Sequence, residues 1–244
     1  MLAAEAMRLA AYEALVPSER LLQESPVWPT MVGDHVFDSQ AIRYEDLADG
    51  VEFTPSIALY TDDSRSVRRG EGASSTIGFA TATLTVVCEL SVAVKDDAGP
   101  FADAMATSDP KARLVLGALC AQARQALVRG TTGAAFRRVV KSIDEIRIDQ
   151  FALPEMGLRW MRSTMSFSCS IADDEFTDAA GLPQPIRRLM EALPDNSYAK
   201  AKLLELHALF LATDVTALAG IDFSTTADPA GPDGPQGTVP TANP

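Results

Sequence analysis

Histidine, cysteine and tryptophan are scarce in this chain: two, three and two residues among 244. Two histidines, His35 and His207, are too few for HExxH zinc sites, multi-histidine metal centres and most histidine relays. The cysteines Cys88, Cys120 and Cys169 are far apart and odd in number, so they form no disulfide framework. Each lies on an apolar stripe, where the bland role is that of a small buried hydrophobe in a reducing compartment. An interchain disulfide or a reactive thiol is the alternative. Positive charge is also short: 21 Lys and Arg stand against 33 Asp and Glu, a formal net charge of −12. Broad phosphate binding needs a clustered basic face, which argues against a general nucleic-acid binder. No apolar run reaches the roughly 18 residues a membrane-spanning helix needs. Glu5, Arg8 and Glu13 interrupt the first apolar stretch, so no secretory signal is expected there.

What is present is ordinary globular stock, 47% apolar and 22% charged. That suffices for one large domain or two small ones, with no metal or disulfide staple. The acid excess is concentrated: residues 1–60 hold ten acidic and three basic side chains. The middle of the chain is balanced and carries two basic clusters. One is Arg65, Arg68 and Arg69; the other is Arg124, Arg129, Arg137, Arg138 and Lys141. Such clusters are solvated faces by default, or contacts to an acidic surface on a partner subunit.

Hydrophobic periodicity lays out the elements. Residues 2–16 have helical spacing and stop at Pro17. A Pro-punctuated loop (25–34) leads to a short strand at 35–39, and 56–61 form a second strand closed by Asp62-Asp63-Ser64. Residues 64–75 make a polar, glycine-bearing loop. From Ala80 to Val94 every even position is apolar, and most odd positions are Thr, Ser or charged. That is a long strand with one buried face. Residues 96–100 read as a turn, 110–129 as a helix ending near Gly130, and 134–140 as a short helix or turn. Strands are expected at 142–151 and 158–171, the second alternating Met161, Met165, Phe167, Cys169 and Ile171 against Arg162, Thr164 and serines. Helices follow at 184–193 and 197–212, the latter with Ala201, Leu204, His207, Ala208 and Leu211 on one side. Residues 224–244 are Pro- and Gly-rich with no basic residue, a composition expected to stay disordered or to be laid down only against a partner.

No catalytic constellation assembles from these parts. The segment Gly70–Gly78 (GEGASSTIG) lacks the Lys-[Ser/Thr] of a phosphate loop and precedes a strand. His35, Asp38 and Ser39 share one short extended segment, which cannot bring nucleophile, base and orienting group together. The acidic groups Asp62-Asp63, Asp96-Asp97 and Asp173-Asp174-Glu175, with Asp178 nearby, follow strands. They are solvated turns by default and a divalent-cation site as the sharper alternative. His207 is expected packed at a helix edge, and Trp28 and Trp160 as core or interface anchors.

Several short stretches then fall in a familiar order. Asp34-His35-Val36-Phe37-Asp38-Ser39 follows the first helix. Thr54-Pro55-Ser56-Ile57-Ala58-Leu59-Tyr60-Thr61-Asp62-Asp63 comes next, then the long Thr/Val strand at 76–95, a helix, and the pair 142–151 and 158–171. Over about residues 1–175 this resembles the tail terminator (tail completion, head–tail joining) proteins of tailed bacteriophages. One departure is Thr54-Pro55, where that family often has Leu-Pro. The resemblance implies an α/β (α+β) fold, a mixed and mainly antiparallel sheet flanked by helices. It implies a hexameric ring that caps the tail tube and joins it to the neck, with DNA passing through the lumen. The partners would be further copies of itself, the tail-tube protein and neck or connector proteins. No enzyme activity, cofactor or metal is implied, and the location would be the virion. The expected organisation is a 1–175 core domain, a 176–222 helical extension and a 223–244 flexible tail. Expected interface residues are Arg65, Arg68, Arg69 and Gly70 on the 64–75 loop and Phe79 at the start of the long strand. The alternatives are another connector, neck or baseplate subunit, a small metal-dependent enzyme using Asp173, Asp174 and Asp178, and an adaptor that recruits a partner through its tail.

Overall fold

A computed structural model describes residues 1–47, 53–67, 79–96, 99–103, 109–153, 160–176 and 181–212. The chain divides into two units, Met1–Thr213 and Asp214–Pro244. The whole of the second lies outside the described residues, and with it the 223–244 tail. The first unit contains helix α1 (Leu2–Leu15), strands β1 (Val36–Asp38), β2 (Thr54–Val67), β3 (Phe79–Asp96) and β4 (Gly99–Asp103), then helices α2 (Asp109–Val128) and α3 (Ala134–Val139). Strands β5 (Val140–Leu153) and β6 (Trp160–Ala172) and helices α4 (Ile186–Ala192) and α5 (Tyr198–Leu211) complete it.

The sheet runs β1-β2-β3-β6-β5, with β4 folded back on the far end of β3. Only β1 and β2 are parallel, and every other pairing is antiparallel. This is the mixed, mainly antiparallel sheet flanked by helices that was expected. The period-two pattern explains its position. Ala80, Ala82, Leu84, Val86, Cys88 and Leu90 on β3, and Met165, Phe167, Cys169 and Ile171 on β6, are all buried on one face. Helices α1, α2 and α3 pack on that face. The alternate residues Thr81, Thr83 and Thr85 on β3 and Thr164, Ser166, Ser168 and Ser170 on β6 point the other way, and none of them is buried.

Helix α1 is the axis of the helical layer, touching β2, β3, α2, α3, α4 and α5. Six of its fourteen residues are alanine, and Ala3, Ala4, Ala6, Ala10, Ala11 and Ala14 are all buried. Small side chains let neighbouring helices approach on every side, so a helix that looks one-faced in sequence is enclosed nearly all round. Its first turn is held by Asp174, just past β6. The two carboxylate oxygens accept from the backbone N–H of Leu2 (2.9 Å) and Ala3 (2.7 Å), satisfying donors that a helix start leaves unpaired. Near its last turn Glu13, only 8% exposed, accepts from the Ser18 N–H and hydroxyl and from the Ser197 hydroxyl. Ser197 is the N-cap of α5, accepting from the Lys200 N–H, so one carboxylate ties the end of α1 to the start of α5.

This tie crosses residue 175, the expected edge of the first domain. Leu182, Ile186, Leu189, Leu193, Ala199 and Leu203 belong to the same core as α1 and the sheet. The 176–222 segment therefore contributes to the main core at least as far as α5. The apolar side of α5 also differs from expectation. Ala199 and Leu203 are buried, whereas Ala201, Leu204, Ala208 and Leu211 are exposed. Strand β2 continues through Asp62-Asp63-Ser64 to Val67, and a bulge between Asp62 and Arg65, with Asp63 at φ +49°, absorbs the interruption. Of the expected turn at 96–100, Asp96 ends β3 and Gly99 and Pro100 begin β4, a strand that composition concealed, while residues 97 and 98 lie outside the described residues.

At the end of α2, Gly133 lies so close to the helix that a Cβ there would sit 2.4 Å from the Ala126 carbonyl oxygen. Only glycine fits this approach. The Arg137 guanidinium donates to the Leu127 and Gly130 carbonyl oxygens, so one member of the second basic cluster closes a helix end.

Candidate functional site

The two stretches that carry the family resemblance are neighbours in space. Val36, Phe37 and Asp38 of β1 pair in parallel with Ile57, Ala58 and Leu59 of β2. Asp38 accepts a hydrogen bond from Arg8 of α1, which also donates to Ser39 and Glu5, and Asp38 accepts from the Tyr198 hydroxyl of α5 at 3.2 Å. Glu5 in turn accepts from the Thr61 hydroxyl at 3.0 Å. Arg8 and Asp38 are both mostly buried, so their charges stabilise each other with reduced solvent screening. The Tyr12 and Tyr198 rings meet at 4.7 Å. Burial pushes both phenols up, with Asp34 adding to the effect at Tyr12. The strand with its Asp-Ser ending is thus a structural clasp between α1, β2 and α5. It fits no triad, because Asp38 is spent on Arg8 and Tyr198.

The expected interface residues separate. Arg65 is exposed on β2, opposite Thr81 of β3, on a strand where a loop had been expected. Arg68, Arg69 and Gly70 lie outside the described residues. Phe79 begins β3, with its backbone between Val67 of β2 and Ala172 of β6.

The acidic groups also find structural work. Asp174 caps α1, Asp173 accepts from the Ser66 hydroxyl, and Asp62 accepts from the Thr85 hydroxyl at 2.7 Å. Asp97 and Asp178 lie outside the described residues. Among the described residues, no three His, Cys, Asp or Glu side chains gather as a metal site would require. His207 is half-buried, and its Nδ1 accepts from the Leu182 N–H at 3.4 Å. All three cysteines are free and buried. The hydrogen bond between the Cys88 and Cys120 thiols raises the first and lowers the second, and burial raises Cys88 further. Burial, with Asp144 nearby, pushes Cys169 up to about 12.

Two surfaces of this unit are suited to another macromolecule. The first is the sheet edge at β5, fourteen residues long and, among the described residues, paired to β6 alone. An edge of that length offers backbone donors and acceptors to a further strand. The second is a groove of about 510 Å³ between α2 and β5, lined by Cys120, Arg124, Gln125, Val128, Arg129 and Ile148. Ile148 is 46% exposed at the mouth of this groove. The expected basic cluster thus divides in space: Arg137 closes α2, while Arg124 and Arg129 line the groove. The groove was not legible in sequence, because it needs α2 and β5 set side by side. No protein-family model matches this chain, and no curated protein matches it. Among the described residues, no helix is long and apolar enough to cross a membrane.

Proposed function

We propose that this chain is a structural subunit of a phage tail, a tail terminator that closes into a hexameric ring on the end of the tail tube and joins it to the neck. The observation that carries the reading is the clasp at β1. The Asp34–Ser39 and Thr54–Asp63 stretches, which resemble the terminator family, lie side by side and are locked to α1 through Arg8 and Asp38. Two further features support it. The chain's acid excess suits a lumen through which DNA passes without sticking, since like charge disfavours phosphate contact. The long edge at β5, open among the described residues, and the Ser/Thr face of the sheet suit contact with neighbouring subunits. In this reading the β2–β3 end, with Arg65 exposed on it, faces the tube. The protein works without cofactor and resides in the virion.

The test is native mass spectrometry of the full chain, alone and with the tail-tube protein encoded beside it. A six-fold assembly, free or on tube ends, is expected. A chain that stays monomeric at high concentration and ignores the tube overturns the reading.

A further inference from the structure

The groove at one edge of the sheet is rimmed by arginines, and the residues flanking the strand at the other edge are mostly acidic. At one edge, α2 and β5 form the groove, and Arg124 and Arg129 on its rim are exposed. Neither has an ion-pair partner among the described residues. The groove's apolar surface includes Ile148, Val128 and Ala121. At the other edge, the residues flanking β1 are acidic. Asp34 is 62% exposed and Glu45 76% exposed, with Asp46 beside them. Arg43 is the only Lys or Arg between residues 34 and 46, and it is shared between Glu45 and Asp46. Asp38, the remaining acid there, is already taken up by Arg8.

Strands β1 and β5 are the two ends of the path β1-β2-β3-β6-β5, so a single copy cannot bring these patches together. A symmetric dimer of groove against groove would set Arg124 and Arg129 against themselves, an unfavourable like-charge contact. Groove against β1 edge is favourable, and each copy then has one of each surface left for the next. Contacts of that head-to-tail kind close into rings when the rotation permits.

We infer that the occupant of the α2–β5 groove is a second copy of this chain, docked through its β1 edge with Asp34 and Glu45 facing Arg124 and Arg129. The inference rests on the ring reading above and names the subunit interface that reading requires. The apolar surface of Ile148 and Val128 supplies the desolvated centre of the contact, and the arginines set its register.

The experiment uses two full-length variants, R124E/R129E and D34R/E45R, measured by native mass spectrometry and light scattering. Circular dichroism and thermal unfolding monitor the fold. The first variant is acidic at both edges and the second basic at both, so each alone is expected to lose the ring. Mixed in equal amounts they are complementary at every contact and are expected to alternate around a restored even-numbered ring. A chain carrying all four substitutions has both charges exchanged and is expected to assemble by itself. Raising salt should weaken the wild-type ring, since the charges at the rim of the contact are screened. A wild-type ring that survives both pairs of reversals overturns the inference and leaves the ring reading in place. Folded variants that lose the ring but are restored neither by mixing nor by the four-fold exchange also overturn it. A wild type that is monomeric with and without the tube overturns the ring reading, and the inference with it.

Discussion

Helices α1 and α5 are both fourteen residues long and both rich in apolar side chains, yet they meet opposite fates. In α1 ten residues are buried, including six alanines and the polar Glu13. In α5 only Ala199 and Leu203 are buried, while Leu204, Leu209 and Leu211 are exposed. Mean apolar character does not separate the two. The number of packed neighbours does: α1 lies between the sheet and four other helices, whereas α5 packs chiefly on α1 and α4. Alanine suits the crowded position because it allows close approach on all sides, and leucine on an uncrowded helix remains outside.

This contrast can be broken by substitution. The largest effect is expected for Leu15→Ala at the buried end of α1. Loss of transfer energy and a residual cavity should cost about 2–5 kcal/mol, read from the urea midpoint. Glu13→Ala comes next. It removes the acceptor for Ser18 and Ser197 in a buried site, and unpaired buried donors cost about 1–3 kcal/mol each in such settings. Its effect should exceed that of any single exposed α5 change, even though the link it breaks is between α1 and α5. Asp174→Ala, which uncaps α1, should cost about 1 kcal/mol by thermal unfolding, and Asp174→Asn should recover part of it. Leu209→Ser on α5, at a position 66% exposed, should change stability by no more than about 0.5 kcal/mol. A loss as large as that of Leu15→Ala would mean that α5 is covered in solution.

The smallest effect near neutrality concerns Cys169 under the helical layer. Its thiol ionises near 9 when ordinary and near about 12 in the fold, so folding favours the protonated form. The contribution is fully present below pH 9 and is lost as pH rises from 9 toward 12. Cys169→Ala should remove that part of the alkaline decline in stability while leaving the pH 6–8 range flat. A thiol reagent at pH 8 should label Cys169 only as the chain unfolds.

Much of the fold was legible in the residues. The alternation from Ala80 to Val94 and from Met161 to Ile171 marked β3 and β6 and the face each buries, because a strand's side chains alternate strictly. The helices α1, α2, α4 and α5 were also found within a few residues of their bounds. What failed had physical causes. Strand β2 runs through Asp62-Asp63-Ser64, a stretch with turn composition, because pairing to β3 and one bulge hold it extended. Strand β4 is five residues of mixed composition and exists through its pairing with β3. The outward face of α5 was misjudged because helical spacing groups residues on a side without saying which side has a neighbour. The β1 segment was singled out by its motif, but its bond to Arg8, some thirty residues earlier, was beyond the reach of local pattern. The α2–β5 groove could not be read at all.

Residue order alone set the class of elements, the buried face of each long strand, the acid excess and the scarcity of histidine and cysteine. These follow from local periodicity and composition, which act within a few residues. Packing in three dimensions set α1 as the enclosed axis, brought residues 182–203 into its core, and placed exposed arginines and exposed carboxylates toward opposite edges of one sheet. Those outcomes depend on which elements become neighbours, and the order of strands in a sheet is set by contacts between residues far apart in the chain.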